Sequence, residues 1–194
     1  MPKARLEAFT DGVMAIIITI MVLELKVPHG EDLATLLALW PIFLSYALSF
    51  LYVGIYWNNH HHMLHAARDI SSGVLWANLH LLFWLSLLPF STGWMGENHF
   101  ARWPVALLGL NLLMAAIAYT ILLFSIVHHH GRDSKLAAAI GGDTKGKISL
   151  ALYVVSILAT LFVNNWLGFA LLFVPAAIWL IPDRRMEKVM PERG

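Results

Sequence analysis

The sequence has no cysteine among its 194 residues, which excludes disulfide frameworks, thiolate metal sites and cysteine nucleophiles. It has little charge. Asp, Glu, Lys and Arg together make up 13% of the chain, about half the share of an ordinary soluble domain. Neither sign dominates, with 13 basic against 12 acidic residues and a net charge of +1. No basic run follows the spacing of a phosphate backbone, so no nucleic-acid partner is expected. Glycine-rich phosphate loops are missing as well, which argues against a nucleotide-driven machine. Ser49, Ser86 and Ser125 stand outside any nucleophile context, and no enzyme activity or cofactor is expected.

What is present is apolar: 59% of the residues are hydrophobic. A soluble fold of this size would expose large apolar patches, whereas a bilayer accepts them as its own solvent. Four stretches carry no Asp, Glu, Lys or Arg, at 33–67, 70–96, 103–131 and 148–182. Each is long enough for a membrane helix, which needs about 20 apolar residues. The last is too long for one ordinary crossing, and Asn164 and Asn165 divide it into a tight helical hairpin. Pro175 is expected to kink the second arm. The N-terminal apolar segment completes an all-α fold of six membrane helices in one domain, 1–194. The expected spans are about 7–26, 34–58, 72–93, 103–127, 148–164 and 166–182. Asp11 interrupts the first of them and no small-x-small cleavage site follows, so it reads as a span and not as a removable leader.

Orientation follows from the basic residues. With the N-terminus inside, the cytoplasmic side receives Lys3, Arg5, Arg68, Arg132, Lys135, Lys145, Lys147, Arg184, Arg185, Lys188 and Arg193. The outer side receives only Lys26 and Arg102. That asymmetry places both termini in the cytoplasm and supports the hairpin, since a single last crossing would put Arg184 and Arg185 outside. Trp40, Trp94, Trp103 and Trp166 fall near the outer interface, and Trp57, Trp76 and Trp179 near the inner one. The glycine-containing segment 132–147 reads as a flexible cytoplasmic loop.

The first helix is unlike the others. Only twelve residues separate Asp11 from Glu24, and twelve helical residues span about 18 Å of a hydrocarbon core about 30 Å thick. Such a helix cannot face lipid all round without drawing a carboxylate into it, so a central position is expected. On a helical wheel Arg5, Phe9, Gly12, Ile16, Thr19, Ile20 and Leu23 fall within about 60° of one direction, and Asp11 points about 140° away. By periodicity alone this stripe fits a packing face, with Thr19 bonded to its own preceding turn, or a narrow pore wall.

The string Arg5-Leu6-Glu7-Ala8-Phe9-Thr10-Asp11-Gly12-Val13, followed by Ala15-Ile16-Ile17-Ile18-Thr19 and Leu23-Glu24-Leu25, resembles the signature of the transmembrane protein 175 potassium channel family. The family pattern is Arg-x-x-x-Phe-Ser-Asp at the start of helix one, and Thr10 stands here in place of serine. Trp57-Asn58-Asn59-His60-His61 resembles a second family motif, Trp-x-x-His-His. The resemblance implies a plasma-membrane homotetramer with helix one lining a central pore, partnered by potassium ions, lipid and its own copies. It implies a hydrophobic constriction at Ile16 and Leu23, with Ile20 contributing, and a potassium-preferring hydroxyl at Thr19. It also assigns Arg5, Phe9, Thr10 and Asp11, with Trp57, His60 and His61, to a network that fixes helix one to its neighbours.

The physics is compatible with these roles. No Thr-Val-Gly-Tyr-Gly segment supplies a carbonyl filter, so a dewetting gate with modest potassium selectivity is expected. A secondary transporter or a proton-conducting channel is the alternative; a carrier would favour a second broken helix to match Pro175, and none is evident. A membrane enzyme would need Asp11 and Glu24 at one depth, where the helix separates them. Ten histidines invite a metal, since His61 and His65 have the i, i+4 spacing. No carboxylate or thiolate accompanies them within the span, and they read instead as helix-end residues, with no metal site. Asn78, His80 and Asn111 are lone polar residues in apolar helices and are expected to make interhelical hydrogen bonds, not a site.

Overall fold

The computed structural model describes residues 2–65, 67, 69–130 and 143–181, and every regular element in them is a helix. In chain order these are α1 (Lys3–Leu23), α2 (Leu33–Leu37), α3 (Trp40–His65), α4 (Ser72–Ser86), α5 (Leu88–Glu97), α6 (Arg102–His130), α7 (Thr144–Phe162) and α8 (Asn165–Leu180). Five spans are long and apolar enough to cross a membrane: α1, α3, α4 with α5, α6 and α7. α8 is apolar but shorter. Arg68, Arg132, Lys135, Arg184, Arg185, Lys188 and Arg193, with most of the 132–147 loop, lie outside the described residues.

Helix starts follow local chemistry. Pro41, Pro89 and Pro104 sit in first turns, where the missing N–H costs nothing. Side-chain oxygens of Asp32, Ser71, Asp143 and Asn164 cap α2, α4, α7 and α8 by accepting first-turn N–H groups. Two breaks differ from the expected boundaries. The span expected at 34–58 begins as the separate α2, and its main helix runs from Trp40 to His65. The span expected at 72–93 is interrupted at Leu87, where Pro89 cannot donate to the Leu85 carbonyl.

α6 is the central post, in contact with α4, α5, α7 and α8. Its buried face, including Leu108, Gly109, Leu112, Ala115, Ala118, Leu122 and Ile126, alternates small and large residues and lets neighbouring helices come close. A Cβ at Gly109 would lie 3.0 Å from Ile157. The α7–α8 hairpin forms at the two asparagines. Asn164 Oδ1 accepts from the N–H groups of Trp166 (2.8 Å) and Leu167 (3.3 Å), while Asn165 Nδ2 donates to the Phe100 carbonyl at 2.6 Å. The arms touch at Gly168, whose carbonyl accepts from Ser156 Oγ at 2.7 Å. Pro175 lies inside α8, and the Tyr52 hydroxyl of α3 donates to the Leu172 carbonyl one turn before it.

One end of the bundle is aromatic. Phe100, fully buried and held at φ 58° in the α5–α6 turn, stacks with Trp40 and packs on Trp166 and Phe169. Also in the connections at this end, Lys26 pairs with Glu97, whose hydrogen bond and charge hold the Lys26 amine above its ordinary range.

Candidate functional site

α1 has two unequal faces. Leu6, Thr10, Met14, Ile17 and Met21, spaced by threes and fours, are buried against α3, α4 and α5. Among the described residues nothing covers the opposite stripe. Ile16 is 58% exposed and Leu23 80%, and Arg5, Phe9, Thr19 and Ile20 are exposed with them. The Thr19 hydroxyl donates to the Ile16 carbonyl at 2.8 Å. That bond uses its proton and leaves the oxygen lone pairs free to accept.

The central position expected for helix one is not found within a single chain. α1 is the least buried of the five long helices, and Asp11 and Glu24 are both exposed. The reason is geometric: among the described residues the neighbours α3, α4 and α5 cover one side of α1 only.

The buried side is fixed by a short polar chain across three helices. Asn78 Nδ2 of α4 donates to Thr10 Oγ1 of α1 at 2.9 Å, and Asn78 Oδ1 lies 2.8 Å from His60 Nε2 of α3. Since the Asn78 amide nitrogen faces Thr10, its oxygen must accept, so His60 carries its proton on Nε2. Thr10 and Asn78 are both fully buried. A second tie runs alongside, where Trp57 Nε1 donates to Asp11 Oδ1 at 2.9 Å. His61 makes no hydrogen bond to α1 among the described residues; it stacks between Trp57 and His65. Phe9 and Arg5 lie on the uncovered stripe, and among the described residues the Arg5 side chain has no hydrogen-bond or ion-pair partner.

The structure therefore joins Thr10, Asp11, Trp57 and His60 to the frame and leaves Arg5, Phe9, Ile16, Thr19, Ile20 and Leu23 facing outward. Two contributors lie outside the sequence-derived set. Asn78 is the bridge of the polar chain, and Lys3 Nζ donates to the carbonyls of His65 (3.1 Å) and Ala67 (3.2 Å), tying the start of α1 to the end of α3. The signal for Asn78 was its solitary polarity in an apolar helix, but a helix alone does not name its partner.

Away from α1, a cavity of about 40 Å³ lies among Tyr52, Tyr56, Tyr119, Tyr153 and Trp179. It has room for about three water molecules. Among the described residues no three His, Asp or Glu side chains converge to hold a metal ion.

Known proteins resemble this arrangement closely. Residues 5–89 match the family model described as endosomal/lysosomal potassium channel TMEM175. A protein of Chryseobacterium sp. (strain P1-3), named as a potassium channel, is 54% identical over 192 residues, covering 99% of this chain and 100% of that one. The human endosomal/lysosomal proton channel TMEM175 is 33% identical over 114 residues, 53% of this chain and 22% of its own. The crystal structure of a lysosomal potassium-selective channel TMEM175 homolog from Chamaesiphon minutus superposes with a TM-score of 0.80 at 29% identity, covering 92% of this chain and 96% of that one. With a relative this similar along its whole length and a solved homolog of the same fold, the chain belongs to the TMEM175 family, a multi-pass membrane protein of an ion-channel lineage and not an enzyme.

Proposed function

We propose that four copies of this chain surround an axis lined by α1 and conduct potassium ions across the plasma membrane. Each subunit then crosses the membrane six times with both termini in the cytoplasm, a reading that the distribution of basic residues supports. The observation that carries the reading is the uncovered stripe of α1. Its apolar residues Ile16, Ile20 and Leu23 lie on a helix whose carboxylates at Asp11 and Glu24 make a lipid-facing position costly. Four copies facing one another put the stripe on the axis and out of contact with lipid. Rings of Ile16 and Leu23, with Ile20 between, form a dry constriction that passes ions only when side chains shift enough to admit water. Four Thr19 oxygens offer lone pairs to a partly dehydrated cation, because their protons are bound back to Ile16. Potassium, which sheds water more readily than sodium, is favoured to a modest degree. The names of the bacterial relatives as potassium channels agree with this reading.

The test is recording from purified protein in planar bilayers. Ile16→Asn and Leu23→Asn are expected to raise current severalfold and bring the potassium and sodium reversal potentials together. Thr19→Ala is expected to reduce selectivity without loss of assembly. Unaltered conductance in Ile16→Asn refutes the pore assignment. Proton conduction is the second reading, favoured by the names of the animal relatives as proton channels. A reversal potential that follows a pH gradient in symmetrical potassium would establish it.

A further inference from the structure

The third apolar span is broken, and the break lies between two separate grips on α1. α4 ends at Ser86, Leu87 adopts φ −86° and ψ −8°, and α5 begins at Leu88 with Pro89 in its first turn. Interrupted backbone inside a bilayer needs partners from elsewhere in the protein. They are present. The Asn111 amide of α6 donates to the Trp84 carbonyl at 2.8 Å and accepts from the Leu88 N–H at 3.2 Å and from Ser91 Oγ at 3.0 Å. Thr92 Oγ1 donates to the Leu88 carbonyl at 2.6 Å, and Ser49 of α3 donates to Thr92. Asn111 alone of these groups takes up the backbone that the break leaves open, the Trp84 carbonyl and the Leu88 N–H, and that makes this a supported joint.

On the α4 side, Asn78 holds Thr10 in the N-terminal half of α1. On the α5 side, Met21, Glu24 and Leu25 line one small cleft with Pro89, Thr92 and Gly93. Glu24 lies so close there that a Cβ at Gly93 would sit 3.4 Å from its Oε2. α4 thus holds the first half of α1 and α5 the second, while α3 packs along both.

We propose that the Leu87–Pro89 break is a hinge, through which α5 moves the Leu23 end of α1 against the Ile16 end that α4 holds, and so regulates opening. The inference rests on the pore reading above. Pro89→Ala restores an N–H toward the Leu85 carbonyl and stiffens the joint. In planar bilayers its unitary open and closed dwell times are expected to lengthen about fivefold, the effect of one regained hydrogen bond. Unitary conductance and reversal potential stay as in the parent. Dwell times equal to or shorter than the parent's overturn the hinge.

Cross-links give a second arm that does not depend on the proline, and the absence of native cysteine makes them unambiguous. A dimaleimide joining Phe83→Cys to Phe90→Cys straddles the break and is expected to lengthen dwell times. A disulfide joining Glu24→Cys to Gly93→Cys lies on one side of it and is expected to leave them unchanged. The reverse pattern, or no effect from either link, overturns the hinge. If Ile16→Asn still alters conductance in those channels, the hinge fails alone; if it does not, the pore reading falls first.

Discussion

Inside a bilayer, an amide that loses one partner finds no solvent to replace it. Asn78 is in that position, joined on one side to Thr10 and on the other to His60. Interhelical hydrogen bonds in membranes average about 0.6 kcal/mol, but leaving the far partner buried and unpaired costs about 1–3 kcal/mol. Asn78→Leu strands both neighbours and is expected to destabilise the folded subunit by about 1–3 kcal/mol. Thr10→Ser, which keeps the accepting oxygen, is expected to be near neutral, and Thr10→Val to fall between. Thermal unfolding midpoints in detergent check the order; equal midpoints for Asn78→Leu and the parent would show that the chain of bonds is not structural. The sequence pattern placed Thr10 and His60 in one network through the motifs that contain them. It expected an interhelical hydrogen bond from Asn78, which forms, but named no partner, because spacing along one helix carries no information about what stands opposite.

At the scale of elements, the legible features were those marked by a change in residue type. The α7–α8 hairpin is signalled by adjacent asparagines in a charge-free run, and it forms there. The joint at Leu87 passes unnoticed, because apolar residues continue through it and the partner of its open backbone, Asn111, lies on another helix. Pro89 is the one local mark, and a first-turn proline reads as a helix start only when an end precedes it. The hairpin also shows how close two arms can come. A Cβ built at Gly168 would sit 1.8 Å from Thr160 Oγ1, which can swing away, and 2.7 Å from the Ser156 carbonyl oxygen, which cannot. Gly168→Ala is therefore expected to part the arms and cost about 1–3 kcal/mol, the range for overpacking. Adding Thr160→Ala should recover only part of the loss, since the backbone contact remains. Unfolding midpoints of the single and double variants test this, and full recovery would show that the side chain alone set the spacing.

For the whole molecule, the membrane class and the family followed from composition and a few motif residues, while a place for α1 at a pore axis came only as what the resemblance implies. Charge spacing says that lipid is the wrong neighbour for this helix, and a single sequence has no way to show that the right neighbour is another copy. The uncovered stripe gives that idea a direct test. Leu23→Cys, alone in a chain without cysteine, is expected to form disulfide-linked dimers under mild oxidation, whereas Phe162→Cys, equally exposed at the end of α7, is not. Cross-linking of both to the same extent, or of neither, would remove α1 from the axis. The last arm of the hairpin has a different consequence. α8 has 16 residues, about 24 Å of helix at 1.5 Å per residue, against a hydrocarbon core about 30 Å thick. On the six-crossing reading proposed above, the Asn164–Asn165 tip is expected to pull the surrounding lipid inward and thin the annulus beside it. Short acyl chains should suit it: the unfolding midpoint is expected to fall as the reconstituting phospholipid is lengthened, and a midpoint indifferent to chain length would mean that the tip is shielded from lipid.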